Sequence, residues 1–251
     1  MEDFELLIDL HKDGHRQGPG GDAETERALD LTMIDRSAHL RIADIGCGTG
    51  ASTILLARLL PNARITAVDF LQDFLDVLAR RAVSAGVADR ISPLARSMDD
   101  LPFADEEFDV IWSEGAIYNI GFAKGIADWR RFLKAGGLLV ASEITWITDS
   151  RPAELQDHWD REYPEIDVAS AKIGILEKHG YSPLGYFVLP QRCWLDEYYR
   201  PIQARCTDFL DRNGNSEEAR EVVAVEQREI DLYDKYKAHY SYGVYVARKQ
   251  G

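Results

Sequence analysis

The stretch Ile42-Ala43-Asp44-Ile45-Gly46-Cys47-Gly48-Thr49-Gly50-Ala51-Ser52 decides how the rest of the chain is read. An apolar run, Leu40 to Ile45, carries one acid near its end and passes into a loop with glycine at every second position. An apolar-periodic segment, Thr53 to Leu60, follows at once. The order is strand, tight turn, helix. Glycines let the backbone bend sharply and let a ligand lie against main-chain N–H groups with no Cβ in the way. The pattern predicts a site for a nucleoside-like cofactor.

Two cofactors compete for it. Gly46, Gly48 and Ala51 satisfy the loose G-x-G-x-x-G/A fingerprint of a nicotinamide dinucleotide site, and Asp69 closes a second strand, Arg64 to Val68, at the usual distance. Asp44 tips the balance. It stands two residues before the first glycine, where a carboxylate would repel a pyrophosphate and welcome a cationic amino-acid group.

At this point the chain resembles the class I S-adenosyl-L-methionine (SAM) dependent methyltransferases, whose first motif reads D-x-G-x-G-x-G. Asp44, Gly46, Gly48 and Gly50 match it position for position. Ile65-Thr66-Ala67-Val68-Asp69-Phe70 resembles the second motif, which implies that Asp69 takes the ribose hydroxyls and Phe70 flanks the adenine. Ser97-Met98-Asp99-Asp100-Leu101-Pro102-Phe103 resembles the loop that encloses the adenine, although many relatives have Asp where Ser97 stands. Ser97, Asp99 or the backbone of Met98 then serves that base. Phe108-Asp109-Val110-Ile111-Trp112-Ser113 and Ala135-Gly136-Gly137-Leu138-Leu139-Val140 match the fourth strand and the turn into the fifth. The resemblance covers roughly residues 40 to 145 and implies SAM as cofactor and S-adenosyl-L-homocysteine as product. Cys47 falls among the cofactor contacts, and its small side chain suits the crowded loop.

Composition bounds the partners. The 251 residues suffice for one large core, or a core with a cap. The net charge of −14 argues against nucleic acid, since such proteins need basic surface to offset phosphate. No apolar run approaches a membrane span, and the acidic start, Met1-Glu2-Asp3-Phe4-Glu5, lacks a signal peptide's basic front, so a cytoplasmic location is expected. Three cysteines without C-x-x-C spacing make a disulfide framework or structural zinc improbable; no metal site is expected. Arg80-Arg81 and Arg130-Arg131 read as solvated helix faces.

Along the chain, strands are expected at 40–45, 64–69, 91–96, 108–113, 137–145, 181–189 and 240–248, with helices at 52–60, 71–85 and 122–133 between the first five. The fold class is α/β: a doubly wound, mostly parallel seven-stranded sheet, Rossmann-like, with the last strand antiparallel as the resemblance implies. Further helices are expected at 4–10, 22–34 (Asp22 as N-cap), 153–161, 168–179, 194–211 and 216–237. Three units result: 1–39, N-terminal helices and a cofactor-closing loop; 40–189 with 240–251, the cofactor-binding core; and 190–239, an inserted helical cap over the carboxyl ends of the strands, where doubly wound sheets bind ligands.

Methyl transfer from a sulfonium asks the protein chiefly to align a nucleophile and exclude water. The loop Ser113-Glu114-Gly115-Ala116-Ile117-Tyr118-Asn119-Ile120-Gly121 follows the fourth strand, where the family presents residues to the substrate. Tyr118 is the expected residue at the methyl, as orienting hydroxyl or weak base, with Glu114 as a second catalytic candidate and cofactor contact. Asn119, Glu143 and Trp146 are acceptor-pocket candidates, and Gly20, in Gln17-Gly18-Pro19-Gly20, is expected to close over the methionine end. His15 and His158 are the lone-histidine alternatives for a base, and Trp159, Tyr163, Trp194, Tyr198 and Tyr199 are aromatic enough to wall a ring or a cationic amine. The expected activity is methylation of a small-molecule acceptor by in-line displacement, with homodimerisation left open. The rivals are an NAD(P)-dependent oxidoreductase and a non-catalytic SAM-binding regulatory protein.

Overall fold

The computed structural model of the protein describes residues 2–251. Helices α1 (Glu2–His11) and α2 (Asp22–Thr32) precede an alternating run: β1 (Arg41–Ile45), α3 (Ala51–Leu59), β2 (Arg64–Asp69), α4 (Gln72–Ser84), β3 (Ile91–Ala95), β4 (Phe108–Ser113), α5 (Phe122–Trp129) and β5 (Leu133–Trp146). Then come α6 (Ala153–Glu162), β6 (Asp167–Val168), α7 (Ala169–Lys178), β7 (Tyr181–Val188), α8 (Gln191–Trp194), α9 (Arg200–Arg212), α10 (Glu217–Tyr236) and β8 (Tyr240–Lys249). The strand order is β3-β2-β1-β4-β5-β8-β7, with β8 antiparallel to both neighbours and β6 adding two residues beside the end of β5. The sheet thus has eight strands rather than seven, because Asp167–Val168 is too short to carry a pattern. A dinucleotide fold would instead be expected to run parallel through six strands in the order 3-2-1-4-5-6.

Period-two alternation splits the core between the two faces of the sheet. Ile42, Trp112 and Val140 pack on one face, and Ala43, Ile45, Ile111 and Leu139 on the other. Each isoleucine, leucine or valine among them contributes about 1.5–3 kcal/mol when taken out of water. The chain order reverses between β1 and β4, so a crevice opens at their carboxyl ends. There the Ser113 hydroxyl donates to the Ile45 carbonyl at 2.8 Å and fixes the two strand ends together.

Several boundaries differ from expectation for physical reasons. Helix α5 stops at Trp129, and Arg130–Phe132 tighten into a 3-10 turn before β5 begins at Leu133. Asp22 does not cap α2; Gly21 holds that position, and the Asp22 carboxylate accepts from Arg16 instead. The expected helix 194–211 is interrupted by a π-helical turn, Leu195–Tyr199, ahead of Pro201, which has no N–H to close an ordinary turn. The Ser216 hydroxyl accepts from the Ala219 N–H at 3.1 Å and starts α10 as expected.

Helix α1 packs against α9 and α10. His11 meets Glu226 at 3.0 Å, and Arg212 donates to Asp9 at 2.6 Å. Lys235 donates to Glu154 at 2.6 Å, tying α10 to α6. The N-terminal helix and the 190–239 segment, assigned to separate units from the sequence, are therefore in direct contact.

Candidate active site

The glycine loop forms one wall of a cavity of about 520 Å³ at the crevice. The N–H groups of Gly46 and Cys47 donate to the Val68 carbonyl at 2.8 and 2.9 Å, drawing the loop onto β2. Gly46 and Gly50 both have positive φ, 77° and 88°. A Cβ at Gly46 would collide with Ala116, and one at Gly50 with Leu78 of α4. Asp69 accepts from the Gly48 N–H at 2.8 Å and the Leu71 N–H at 2.9 Å, so each carboxylate oxygen keeps a second lone pair. Burial raises its pKa, against the pull of those N–H donors. Phe70, largely exposed, with Ser97 and Met98, lines the far side. The Ser97 hydroxyl donates to Asp99, and the Met98 carbonyl accepts from the Trp129 indole at 3.0 Å.

Asp44 lies beneath the loop, fully buried, and does not line the cavity. Its Oδ2 accepts from Ser52 at 2.9 Å and Thr53 at 2.6 Å, which joins β1 to the start of α3. Its Oδ1 has no partner. Burial pushes the carboxyl up to about 7; the two hydroxyls oppose this and the nearby Glu114 charge adds to it. A cation above the loop would relieve that arrangement, so the buried acid fits a cofactor with a positive amino-acid end. Cys47 is buried beside it, and burial raises the thiol pKa, keeping it neutral.

The segment between α1 and α2 folds over the cavity mouth. Gln17 accepts from the Thr49 N–H at 2.8 Å and donates to the His11 and Gly14 carbonyls. Its carboxamide oxygen would stand 2.5 Å from a Cβ on Gly48, whose φ is 54°. Arg16, only 7% exposed, donates to Glu114 at 2.8 Å and Asp22 at 3.0 Å. Arg81 reaches from α4 to the Gly14 carbonyl at 2.9 Å and to Thr49. Arg81 is thus a clasp rather than part of a solvated face; only Arg80 of that doublet is exposed. Arg130 is likewise engaged, donating to the Gln250 carbonyl at 2.8 Å, whereas Arg131 is exposed.

A second cavity of about 780 Å³ adjoins the first. Gln17, Gly18, Pro19, Gly115 and Tyr118 line both. Its remaining walls come from α6, α8, the π turn, α10 and the ends of β5 and β8, and include Trp159, Trp194, Tyr198, Tyr199, Tyr240 and Tyr242. Tyr118 is 38% exposed, into the cavities, and sits edge-on to Tyr163 with centroids 6.1 Å apart. Burial, then the Glu229 charge, raises its pKa, so it is a neutral hydroxyl near pH 7 and not an anionic base. Asn119 lines the first cavity and donates to the Ala116 carbonyl at 2.9 Å.

The remaining candidates divide between the cavities and the core. Glu114 lines the first cavity, but its carboxylate accepts from Arg16, from Thr25 at 2.7 Å and from Trp112 at 2.9 Å. Those three donors commit it as a tether. Glu143 lines neither cavity; it is fully buried in an ion pair with Lys172 at 2.7 Å, and Lys172 also donates to the Glu165 carbonyl. Trp146 is buried edge-on against Tyr240 and also lines neither cavity. Gly20 packs on Arg16 and leaves Gly18 and Pro19 to face the first cavity. His15 is exposed near Asp22, and His158 lines the second cavity with its pKa lowered by burial. Arg16, Gln17 and Glu229 escaped the sequence reading; the only signal was the flagged loop that Gln17 opens. Among the described residues no group of three His, Cys, Asp or Glu side chains is placed to hold a metal ion. Among them, too, no helix is long and apolar enough to cross a membrane.

The sheet order and the glycine crevice define the class I SAM-dependent methyltransferase fold. Residues 42–137 match the family described as a methyltransferase domain, and the fold of the whole chain is that of two methyltransferases solved with bound product. A SAM-dependent methyltransferase of Geobacter sulfurreducens, solved with S-adenosyl-L-homocysteine, superposes with a TM-score of 0.84 at 20% identity, covering 100% of this chain and 98% of that one. One from Thiobacillus denitrificans, solved with the same ligand, gives 0.83 at 22% identity over 98% of each chain. In sequence, a ubiquinone/menaquinone biosynthesis C-methyltransferase of Geotalea daltonii is 31% identical over 121 residues, 47% of this chain and 52% of that protein. The chain spans about half or less of the length of the curated relatives it matches.

Proposed function

We propose that this protein is a SAM-dependent methyltransferase acting on a small-molecule acceptor. The observation that carries the reading is the pair of adjoining cavities, one walled by the glycine loop and Asp69, the other by aromatic rings, with Tyr118 lining both. Asp69 would hold the ribose hydroxyls, Phe70, Ser97 and Met98 would border the adenine, and Asp44 would compensate the cationic amino-acid end through the loop. When bound, the cofactor supplies a methyl already activated by positive sulfur. The protein's own part is then to orient and to dehydrate. Tyr118, neutral and able to donate or accept, orients the acceptor. Gln17 to Pro19 cover both cavities and exclude water. Glu114 holds that cover through Arg16 and acts as a positioning residue.

Small size of the acceptor is supported by the roughly 780 Å³ of the aromatic cavity and by the quinone-pathway relative. The charge of −14 supports a partner other than nucleic acid, and the acidic composition is compatible with the cytoplasm. We assign the core to 40–189 with 240–251, and the cap to 190–239 together with α1.

Calorimetry with SAM and with NAD, followed by labelled methyl transfer to a panel of amines, phenols, thiols and quinones, tests this. SAM binding and transfer to at least one acceptor are expected. Preference for NAD would restore the oxidoreductase reading, and SAM binding without transfer across the panel would favour a regulatory role.

A further inference from the structure

Resting on that reading, we infer that the aromatic cavity selects an acceptor bearing a cationic nitrogen, with Glu229 as its counter-charge. Glu229 projects from α10 into the cavity and keeps accessible surface there. Its Oε1 accepts from the Tyr199 hydroxyl at 2.9 Å. Among the described residues, no lysine, arginine or histidine pairs with it.

Two arginines, Arg161 and Arg228, also line the cavity, and neither forms an ion pair with Glu229. His11 meets Glu226 at 3.0 Å, and Arg228 donates to Glu221 at 2.7 Å. Arg161 donates through Nε to the Asp157 carbonyl at 3.0 Å, and Glu162 beside it brings a further negative charge to the cavity wall. His158, the remaining titratable base on that wall, is held toward its neutral form by burial. Burial and the neighbouring Glu226 charge push the Glu229 carboxyl upward, with the Tyr199 hydrogen bond and the more distant His11 opposing.

An acid that faces a cavity with no paired cation offers a counter-charge that a neutral ligand leaves unused. An ammonium engages it and gains a second time from Tyr118 and Trp159, rings of that wall that keep accessible surface. The buried rings behind them are held in place. Trp194 is stacked between Tyr233 at 4.4 Å and Tyr242 at 5.2 Å, and its indole donates to Ser241 at 2.9 Å. Tyr198 and Tyr199 belong to the π turn, which widens the helix where they meet the cavity.

Choline and its neutral carbon isostere, 3,3-dimethylbutan-1-ol, differ only in the charge at the quaternary centre. Calorimetric titration of both, with and without saturating S-adenosylhomocysteine, is the test. Choline is expected to bind at least about tenfold tighter, and Glu229→Gln is expected to erase that gap while leaving S-adenosylhomocysteine affinity unchanged. Equal binding of the two probes, no choline binding, or an undiminished gap in Glu229→Gln would overturn the inference. Should Glu229→Gln fail to fold, the comparison of probes on the native protein decides. Loss of homocysteine-derivative binding with the choline preference intact would instead strike the methyltransferase reading and spare the cationic site.

Discussion

Arg16 Nη1 lies 2.8 Å from Glu114 Oε2, so the segment before α2 is bolted to the loop after β4 across the cofactor cavity. Both side chains are mostly buried, and Thr25 and Trp112 complete the carboxylate's hydrogen bonds. Removing one member of such a pair strands the other charge at a cost of about 3–5 kcal/mol when fully buried.

Arg16→Ala should therefore lower stability by about 2–4 kcal/mol, near the lower end because Glu114 keeps two other donors. Hydrogen exchange across residues 12–21 should accelerate, and SAM affinity should fall with it. Unchanged exchange in that segment would show that the pair does not hold it down.

Asp69→Ala should weaken SAM binding by about 1.5–3 kcal/mol, the usual loss for hydrogen bonds to a charged group. Calorimetry reads this directly. The same substitution frees the Gly48 and Leu71 N–H groups, so Asp69→Asn, which retains an acceptor, should lose less.

Tyr118→Phe should reduce turnover about 100-fold, the low end for losing one proton-handling group, with SAM affinity nearly intact. Equal loss of both would move Tyr118 into the cofactor's own shell. Because its pKa is raised, no gain of rate is expected as pH climbs from 7 to 9 on account of this residue.

Asp44 gives a pH signature. The folded chain keeps its proton up to about pH 7, whereas an unfolded carboxyl releases it near about 4. Stability falls as pH rises between those values, by about 2–4 kcal/mol in all. Asp44→Asn removes that loss, so its melting temperature should improve relative to the native protein from pH 5 to 7 and then level off. The stabilisation conferred by SAM should be smaller in the variant. A difference in melting temperature that is flat with pH would mean that Asp44 is ionised in the folded state.

What could be read from the sequence was what neighbours in sequence decide. The run from Leu40 to Leu60 shows its strand, turn and helix through local pattern, and Asp69 follows from the length of one crossover unit. The Arg16–Glu114 pair spans 98 residues, and no local pattern marks a lone arginine in a loop as buried. Glu143 misled because a strand's end suggests a pocket, while the period-two alternation that decides which way it faces depends on register with β8. Glu229 looked like any acid on an amphipathic helix; only the packing of α10 over the sheet ends turned it inward. The two-residue β6 lacked the length for any periodicity to show.

Gln17, Gly18 and Pro19 form a wall common to both cavities. Any displacement of that partition reshapes two compartments at once. Filling one side should therefore be felt on the other, as a change in affinity for the ligand held there.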